Sequence, residues 1–209
     1  MSTVKTRQPT VYIVDDHPAV RDSIRWLVQQ VGLSARTFAS AKEFLANPDP
    51  EMHGCLVLDI RMPGMSGLEL QEYLAVARLS IPVIIVTGHG DVPVTVRAMK
   101  KGAFDFLQKP FNDQALLDSI FAAIRKHEEI CAENERRAEE EQNLASLTSR
   151  EREVLELLRA GKSSKVIAAD LDISVRTVEG HRANIMLKMN AKTVGQLIGL
   201  ASKRDSAPG

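Results

Sequence analysis

The chain has 209 residues, 44% of them hydrophobic, 26% charged and 4% aromatic, which is the composition of a globular protein with one large domain or two modest ones. Its 27 basic and 27 acidic side chains cancel, so the net charge alone indicates no class of partner. The two cysteines are far apart, no apolar run approaches the ~18 residues of a membrane span, and residues 1–9 lack a signal peptide. We therefore expect a cytoplasmic protein with no membrane partner.

The charge is unevenly distributed along the chain. Residues 1–127 carry a net charge of +1, residues 128–143 carry −5 and residues 144–209 carry +4. An acidic connector thus precedes a basic segment, and a basic terminal domain is typical of nucleic-acid binding. We predict one domain over residues 10–125, an acidic helical linker over 126–143 and a DNA-binding domain over 144–204.

Strand-like apolar runs alternate with helical patterns in the first domain. The predicted strands are Thr10–Val14, Leu33–Phe38, Gly54–Leu58, Ile81–Thr87 and Phe104–Leu107. The predicted helices between them are Pro18–Val31, Ala41–Ala46, Ser66–Ala77 and Asp91–Gly102. This alternation predicts an α/β fold with helices on both faces of a parallel sheet. Five such units fit a doubly wound, flavodoxin-like strand order, 2-1-3-4-5.

Chemically capable side chains stand where these strands end. Asp15 and Asp16 follow the first strand, Asp59 follows the third, Thr87 ends the fourth and Lys109 follows the fifth. Strands one, three and four are neighbours in the predicted order, so their carboxylates share one pocket. The mutual repulsion of the carboxylates calls for a cation, and a site with few oxygen ligands suits Mg²⁺. Beside Mg²⁺ and a lysine, a carboxylate can attack phosphorus and form an aspartyl phosphate.

These motifs resemble the receiver domain of two-component response regulators. The matching residues are Asp15-Asp16, Asp59 with Arg61-Met62-Pro63-Gly64, Thr87-Gly88 and Lys109-Pro110. The resemblance implies that a sensor histidine kinase phosphorylates Asp59. It also implies that the three aspartates and the backbone carbonyl of Arg61 hold Mg²⁺.

The same resemblance implies a switch. Thr87 and Lys109 would contact the phosphoryl group, the Lys109–Pro110 bond would be cis, and Phe106 fills the aromatic switch position. His17 stands where many relatives have a third acidic residue, and His89 also lies near the pocket. We predict that both histidines are loop residues rather than catalytic groups.

Helical spacing continues past the receiver through Leu117, Ile120 and Ile124, but its seam turns polar from His127 onward. A coiled coil needs apolar positions over several heptads. We therefore predict that Glu128–Glu141 is a solvated helical linker rather than a dimerisation coil.

The basic segment has the spacing of a helix-turn-helix. Thr148 or Ser149 caps a helix that Gly161 ends, Ser163 caps a second helix, and Ser174 caps a third over Val175–Met189. Residues early in such a recognition helix read base edges, while Arg and Lys neutralise phosphates. The predicted DNA contacts are Arg176, Thr177, Glu179, His181, Arg182 and Lys188.

This segment resembles the tetrahelical LuxR-type domain of the NarL/FixJ response regulators, most closely the FixJ branch. The matching stretches are Leu147–Leu155, Ile167–Ser174 and Arg176–Met189, and Gly180 stands where relatives often carry Val. A final helix with Val194, Leu197, Ile198 and Ala201 on one face is similar to the family's DNA-binding dimer contact. The resemblance thus implies a homodimer on promoter DNA.

The sequence therefore predicts a transcription factor controlled by phosphorylation, and not a turnover enzyme. Two alternatives stay open. One is a Mg²⁺-dependent phosphatase that uses an aspartyl phosphate, although the chain lacks a DxD nucleophile motif. The other is a DNA-binding regulator whose receiver acts as a fixed, unphosphorylated interaction module.

Overall fold

A computed structural model describes residues 8–47, 49, 52–77, 79–88, 92–193 and 195–197, with the backbone alone for 92–94. It contains two compact units, which divide between Ala132 and Glu133. The first unit holds a five-stranded sheet and the second is helical. These findings confirm the predicted fold class.

The first unit is built on parallel strands. They are β1 (Thr10–Val14), β2 (Ser34–Phe38), β3 (Gly54–Leu58), β4 (Val83–Thr87) and β5 (Asp105–Gln108). Their order is β2-β1-β3-β4-β5, as predicted. Val14 pairs with Leu58, which in turn pairs with Ile85, so the carboxyl ends of the central strands lie nearly level. β4 begins later than predicted because Pro82 has no N–H to add to the ladder.

Among the described residues of this unit, five helices begin. They are α1 (Pro18–Gln30), α2 (Ala41–Ala46), α3 (Gly67–Val76), α4 (Val92–Lys100) and α5 (Asp113–Ala145). The predicted signals set their limits: Pro18 opens α1, and Gly32 follows it with a φ of 78°. Ser66 and Glu69 form the predicted capping box of α3. Asp91 and His89, which the sequence assigns to the start of α4 and its preceding loop, lie outside the described residues.

Alternate residues of each strand feed two cores, one on each face of the sheet. Val11, Ile13 and Val57 pack with Ile24 of α1 and Ile120 of α5. On the other face the core is formed with residues of α2, α3 and α4; its strand members are Tyr12, Val14, Leu56, Leu58 and Ile85. Because both faces are covered, the central strands β1, β3 and β4 are mostly apolar, whereas the edge strand β2 carries Arg36 and Thr37 within its length.

Helix α5 packs on the first unit beyond residue 125, where the sequence places the start of the linker. His127 is only 5% exposed, and its Nδ1 accepts a hydrogen bond from the Gly54 N–H at 3.0 Å. The helix is 33 residues long and its later part carries the acidic residues. None of the helices in the described part of the chain, α5 included, has the length and apolar content of a membrane span.

In the described part of the second unit, α-helices pack around one core. They are α6 (Ser149–Arg159), α7 (Ser164–Asp170) and α8 (Val175–Lys188). Val154, Ile167 and Ile185, one from each helix, are fully buried in it. Of the predicted fourth helix, Leu197 is buried in this core, whereas Val194, Ile198 and Ala201 lie outside the described residues.

Helix caps in this unit agree with the sequence pattern except in one detail. Thr148, rather than Ser149, caps α6 and forms a capping box with Glu151. The Ser174 hydroxyl accepts from the Thr177 N–H at 3.0 Å at the start of α8. Ser163 occupies the cap position of α7, but its side chain makes no capping hydrogen bond.

Candidate functional site

The carboxyl edge of the sheet gathers the acidic and basic residues singled out from the sequence. Asp15 follows β1, Asp59 follows β3, Thr87 ends β4 and Lys109 follows β5. Asp15, Asp59 and Thr87 are 2%, 5% and 1% exposed. Buried polar groups of this kind need partners, which neighbouring strand ends can supply.

Lys109 joins the two buried carboxylates. Its Nζ lies 2.5 Å from Asp15 Oδ2 and 3.0 Å from Asp59 Oδ1. The Lys109 N–H donates to the Thr87 carbonyl at 2.9 Å, which fixes the start of the lysine against the end of β4. The predicted cis bond between Lys109 and Pro110 is confirmed.

Asp59 is held at both carboxylate oxygens. Oδ1 accepts from Lys109, and Oδ2 accepts from the Arg61 backbone N–H at 2.8 Å. Gly67 supports the same turn from the start of α3: its N–H donates to the Ile60 carbonyl at 2.9 Å, and a Cβ at this position would lie 2.2 Å from the Asp59 carbonyl oxygen. The loop after β3 therefore requires glycine at residue 67.

Burial and the neighbouring charges shift the pKa values of Asp59 and Lys109. Burial raises the pKa of Asp59 and the Asp15 charge adds to the rise, while Lys109 and the Arg61 N–H oppose it. Burial alone would lower the pKa of Lys109, but hydrogen bonds and charge from Asp15 and Asp59 raise it overall. One ammonium thus serves two carboxylates, and Asp59 remains short of positive charge.

The residues at the end of β1 fit an oxygen-liganded divalent cation. Asp16 Oδ1 is buried and accepts no hydrogen bond within the described part of the chain. The His17 Nδ1 lies 2.8 Å from it, a contact that is an ion pair only if the imidazole is protonated. Ligand atoms of Asp15, Asp16 and His17 lie within 4.8 Å of one another. Asp59, whose Oδ1 contacts Lys109, is outside that group.

Two further predicted residues frame the pocket. Phe106, on β5, is half-buried against the core formed with α3 and α4. His17 occupies the N-cap position of α1 without a side-chain capping hydrogen bond, and its side chain is 70% exposed, as expected of a loop residue.

The second unit presents α8 as its candidate interface. Arg176, Thr177 and Glu179 are exposed near the start of the helix, and His181 is half-buried. Arg182 donates instead to Ser164 Oγ at 2.5 Å and to Glu179 Oε1 at 3.0 Å. Lys188 pairs with the buried Glu151 at 2.7 Å. Of the six predicted DNA contacts, three are therefore exposed, His181 is half-buried, and Arg182 and Lys188 are bonded within the unit.

Two family models match the chain, one for each unit. The response regulator receiver domain matches residues 11–121, and the luxR family of bacterial regulatory proteins matches residues 145–201. The described unit with the parallel sheet carries the first match and the helical unit carries the second.

Known proteins resemble the chain along nearly its whole length. The transcriptional regulatory protein TdiR of Thauera aromatica is 42% identical over 99% of this chain and 91% of its own. FixJ of Azorhizobium caulinodans is 44% identical over 95% of this chain and 94% of its own. Among solved structures, the response regulator StyR has 47% identity and a TM-score of 0.88, covering 94% of this chain and all of its own. The chain therefore belongs to the two-component response regulators, as a transcriptional regulator that joins a receiver domain to a LuxR-type DNA-binding domain.

Proposed function

We propose that Asp59 accepts a phosphoryl group from the phosphohistidine of a sensor histidine kinase. An Asp59 carboxylate oxygen attacks phosphorus, the new O–P bond forms as the P–N bond breaks, and the imidazole nitrogen leaves with the electron pair. The Lys109 ammonium, 3.0 Å from Asp59 Oδ1, is the observation that carries this proposal. It supplies positive charge where an anionic phosphoryl group would arrive.

Mg²⁺ is the cofactor we propose, held by Asp15, Asp16, Asp59 and the backbone carbonyl of Arg61. When bound, it neutralises the carboxylates and the phosphoryl oxygens. The buried Asp16 Oδ1, which accepts no hydrogen bond among the described residues, supports this ligand set. Partial neutralisation of the carboxylates would free Lys109 to donate to the phosphoryl group.

Phosphorylation would act through Thr87 and Phe106. The Thr87 hydroxyl donates to a phosphoryl oxygen, and its displacement opens space into which Phe106 repacks. Phe106 is only half-buried and borders the core formed with α3 and α4, which supports its capacity to change position. A shift between two receiver conformations needs only a few kcal/mol of differential stability.

The output we propose is sequence-specific binding to promoter DNA as a homodimer. Arg176 and His181 would approach phosphates, whereas Thr177 and Glu179 would approach base edges, and Glu179 can accept from a cytosine amino group. The exposure of Arg176, Thr177 and Glu179 supports this set.

Labelling with acetyl phosphate tests the phosphoryl chemistry. The full chain is incubated with Mg²⁺ and acetyl phosphate, and the mass added to the intact protein is measured by mass spectrometry. We expect one phosphoryl group per wild-type chain, none on Asp59→Asn, and little without Mg²⁺. Asp22→Asn is the matched control, because the Asp22 side chain is 63% exposed on α1 and pairs with Arg25 of the same helix.

Two outcomes would contradict the proposal. Labelling of Asp59→Asn at the wild-type level would place the acceptor elsewhere. Steady release of phosphate from small phosphate esters, at many turnovers per chain, would favour the phosphatase alternative instead.

A further inference from the structure

Lys188 and Arg182 were predicted to contact DNA phosphates, yet both are bonded within the second unit. Lys188 Nζ, at the end of α8, lies 2.7 Å from Glu151 Oε2 and donates to the Ser146 carbonyl at 3.1 Å. Arg182, one turn and a half earlier, donates to Ser164 Oγ at the start of α7. Their side chains are 33% and 25% exposed. Lys188 Nζ already has two acceptors, and Arg182 Nη1 has two, so both side chains are held within the unit.

The carboxylate that accepts from Lys188 belongs to the buried Glu151, which accepts a second hydrogen bond. Glu151 is 3% exposed, and its Oε2 also accepts the Thr148 N–H at 2.8 Å as part of the α6 capping box. Lys188 and the Thr148 N–H lower the pKa of Glu151, which keeps the carboxylate ionised at neutral pH. Loss of Lys188 would leave this buried charge without its cation, so the pair is expected to hold its geometry firmly.

We propose that Lys188 is a positioning residue for DNA recognition, whose ion pair with Glu151 fixes the end of α8 against the start of α6. The inference rests on the proposed role of α8 as the recognition helix. Base contacts require a fixed helix orientation, whereas contacts to the regular phosphate backbone tolerate small rotations. The exposed Arg176 and Thr177 lie at the opposite end of the 14-residue helix, where a small tilt displaces them most.

Arg182 is the second anchor of the same helix. It ties the middle of α8 to Ser164, while Val178 and Ile185 bury the apolar face between them. Apolar packing sets the depth of the helix but resists rotation weakly, because it is non-directional. The directional contacts of Lys188 and Arg182 supply what that packing lacks.

Binding measured on two duplexes separates positioning from phosphate contact. The full chain, treated with beryllofluoride and Mg²⁺, is titrated with a duplex that the wild type selects from a randomised pool and with a scrambled duplex of equal length. Affinities are compared between about 50 and 200 mM salt, since removing one phosphate contact lowers the salt slope by about one. Each variant is checked for folding by circular dichroism at the titration temperature.

We expect Lys188→Met to weaken binding to the selected duplex at least tenfold, to change binding to the scrambled duplex less than threefold, and to keep the wild-type salt slope. Arg176→Ala should instead reduce the slope by about one. Lys192→Met is the matched control for loss of an exposed lysine from the same unit, and should leave the ratio of the two affinities unchanged.

Glu151→Gln gives the sharpest contrast. It removes a negative charge, so electrostatics alone predicts equal or tighter DNA binding, whereas the positioning role predicts at least fivefold weaker binding to the selected duplex. Glutamine can still accept the Thr148 N–H, which keeps the cap of α6. Lys188→Arg retains a cation within reach of Glu151 and should restore most of the discrimination that Lys188→Met loses.

The inference is overturned if Lys188→Met weakens both duplexes equally with a slope reduced by about one, or if Glu151→Gln binds the selected duplex as well as the wild type. Should Lys188→Met fail to fold, Glu151→Gln and Lys188→Arg decide the question by themselves. A wild-type chain that selects no sequence from the pool would remove the proposed DNA-binding function, and this inference with it.

Discussion

Asp59 carries its charge where only 5% of the residue meets solvent, and Lys109 compensates that charge in part while also serving Asp15. Its pKa is raised, above all by burial, so folding disfavours the ionised form of this carboxyl relative to the unfolded chain. Such a group contributes stability below its unfolded pKa, and that contribution is lost as the pH rises through the folded value. At neutral pH the ionised Asp59 carboxylate therefore lowers the stability of the folded receiver. Bound Mg²⁺ would reduce this cost by neutralising the carboxylate.

Asp59→Asn is accordingly expected to raise the free energy of unfolding at pH 7 in the absence of Mg²⁺, by an amount on the order of 1 kcal/mol. The gain should shrink as the pH falls and the wild-type carboxylate becomes protonated. Urea unfolding in EDTA at several pH values measures the difference. A variant less stable than the wild type at pH 7 would show that Lys109 overcompensates the buried charge.

For His127 we expect the opposite dependence of stability on pH. Burial, and after it the neighbouring His53, lower the pKa of His127. A histidine with a lowered pKa contributes stability above its unfolded value, and this is lost as the pH falls through the folded value. The groups facing it are His53, stacked at 5.5 Å, the Gly54 N–H, and Glu128 on its own helix.

Protonation of His127 would convert the acceptor of the Gly54 N–H into a donor. Exchange protection of the Gly54 amide should then fall about fivefold between pH 7 and pH 5, since such a hydrogen bond is worth about 1 kcal/mol. The Leu56 amide, which donates to the Pro82 carbonyl at 2.9 Å on the same strand, is the internal control. Equal changes at both amides would indicate a general loosening rather than a titration of His127.

The cluster at the carboxyl edge of the sheet was predictable because each of its residues stands at the end of an apolar run. Asp15, Asp59 and Thr87 need only the strand order to be brought together. By contrast, Gly54 and His127 are 73 residues apart, and Glu151 and Lys188 are 37 apart. No local period links such pairs, so their contacts emerged only from tertiary packing, and Lys188 was assigned to DNA phosphate on charge alone.

At the scale of the elements, α3 begins in close contact with the turn that carries Asp59. A Cβ at Gly67 would lie 2.2 Å from the Asp59 carbonyl oxygen, a backbone atom that cannot move without displacing the carboxylate. Gly67→Ala should therefore destabilise the receiver by about 3 kcal/mol or more, as expected of a backbone clash in a buried turn. Acetyl-phosphate labelling of the folded fraction should fall as well.

Gly180→Ala is the matched control on another helix, and we expect it to raise stability rather than lower it. A Cβ at Gly180 meets no atom within 4 Å, and alanine has a higher helix propensity than glycine by about 1 kcal/mol. Calorimetry of both variants should show a lower Tm for Gly67→Ala and a slightly higher Tm in the second unit for Gly180→Ala. A stabilised Gly67→Ala would mean that the turn after β3 has room for a side chain.

Element limits were predictable to within a few residues because proline, glycine and capping serines punctuate the chain. The capping box of Ser66 and Glu69 and the end of α1 before Gly32 follow directly from those signals. How far α5 packs on the first unit could not be predicted from those signals, since a polar residue such as His127 normally marks an exposed position. Its burial depends on the Gly54 N–H, which is unpaired by the strand ladder and needs an acceptor.

At the scale of the whole molecule, the family assigns a receiver to the first unit and a DNA-binding domain to the second. The charge pattern of +1, −5 and +4 along the chain is consistent with that division. In the account proposed here, a phosphoryl group on Asp59 shifts the receiver toward a conformation that dimerises, and two copies then bind two half-sites. Linkage requires that DNA binding and phosphorylation favour each other by the same factor.

The affinity for the selected duplex, with and without beryllofluoride, tests this coupling most directly. With Mg²⁺ present, the wild type should bind at least tenfold more tightly after beryllofluoride is added, and should sediment as a dimer. Asp59→Asn should show neither change, while Asp22→Asn behaves as the wild type. Equal affinity of the wild type in both conditions, or an increase that persists in Asp59→Asn, would contradict the claim that Asp59 controls DNA binding.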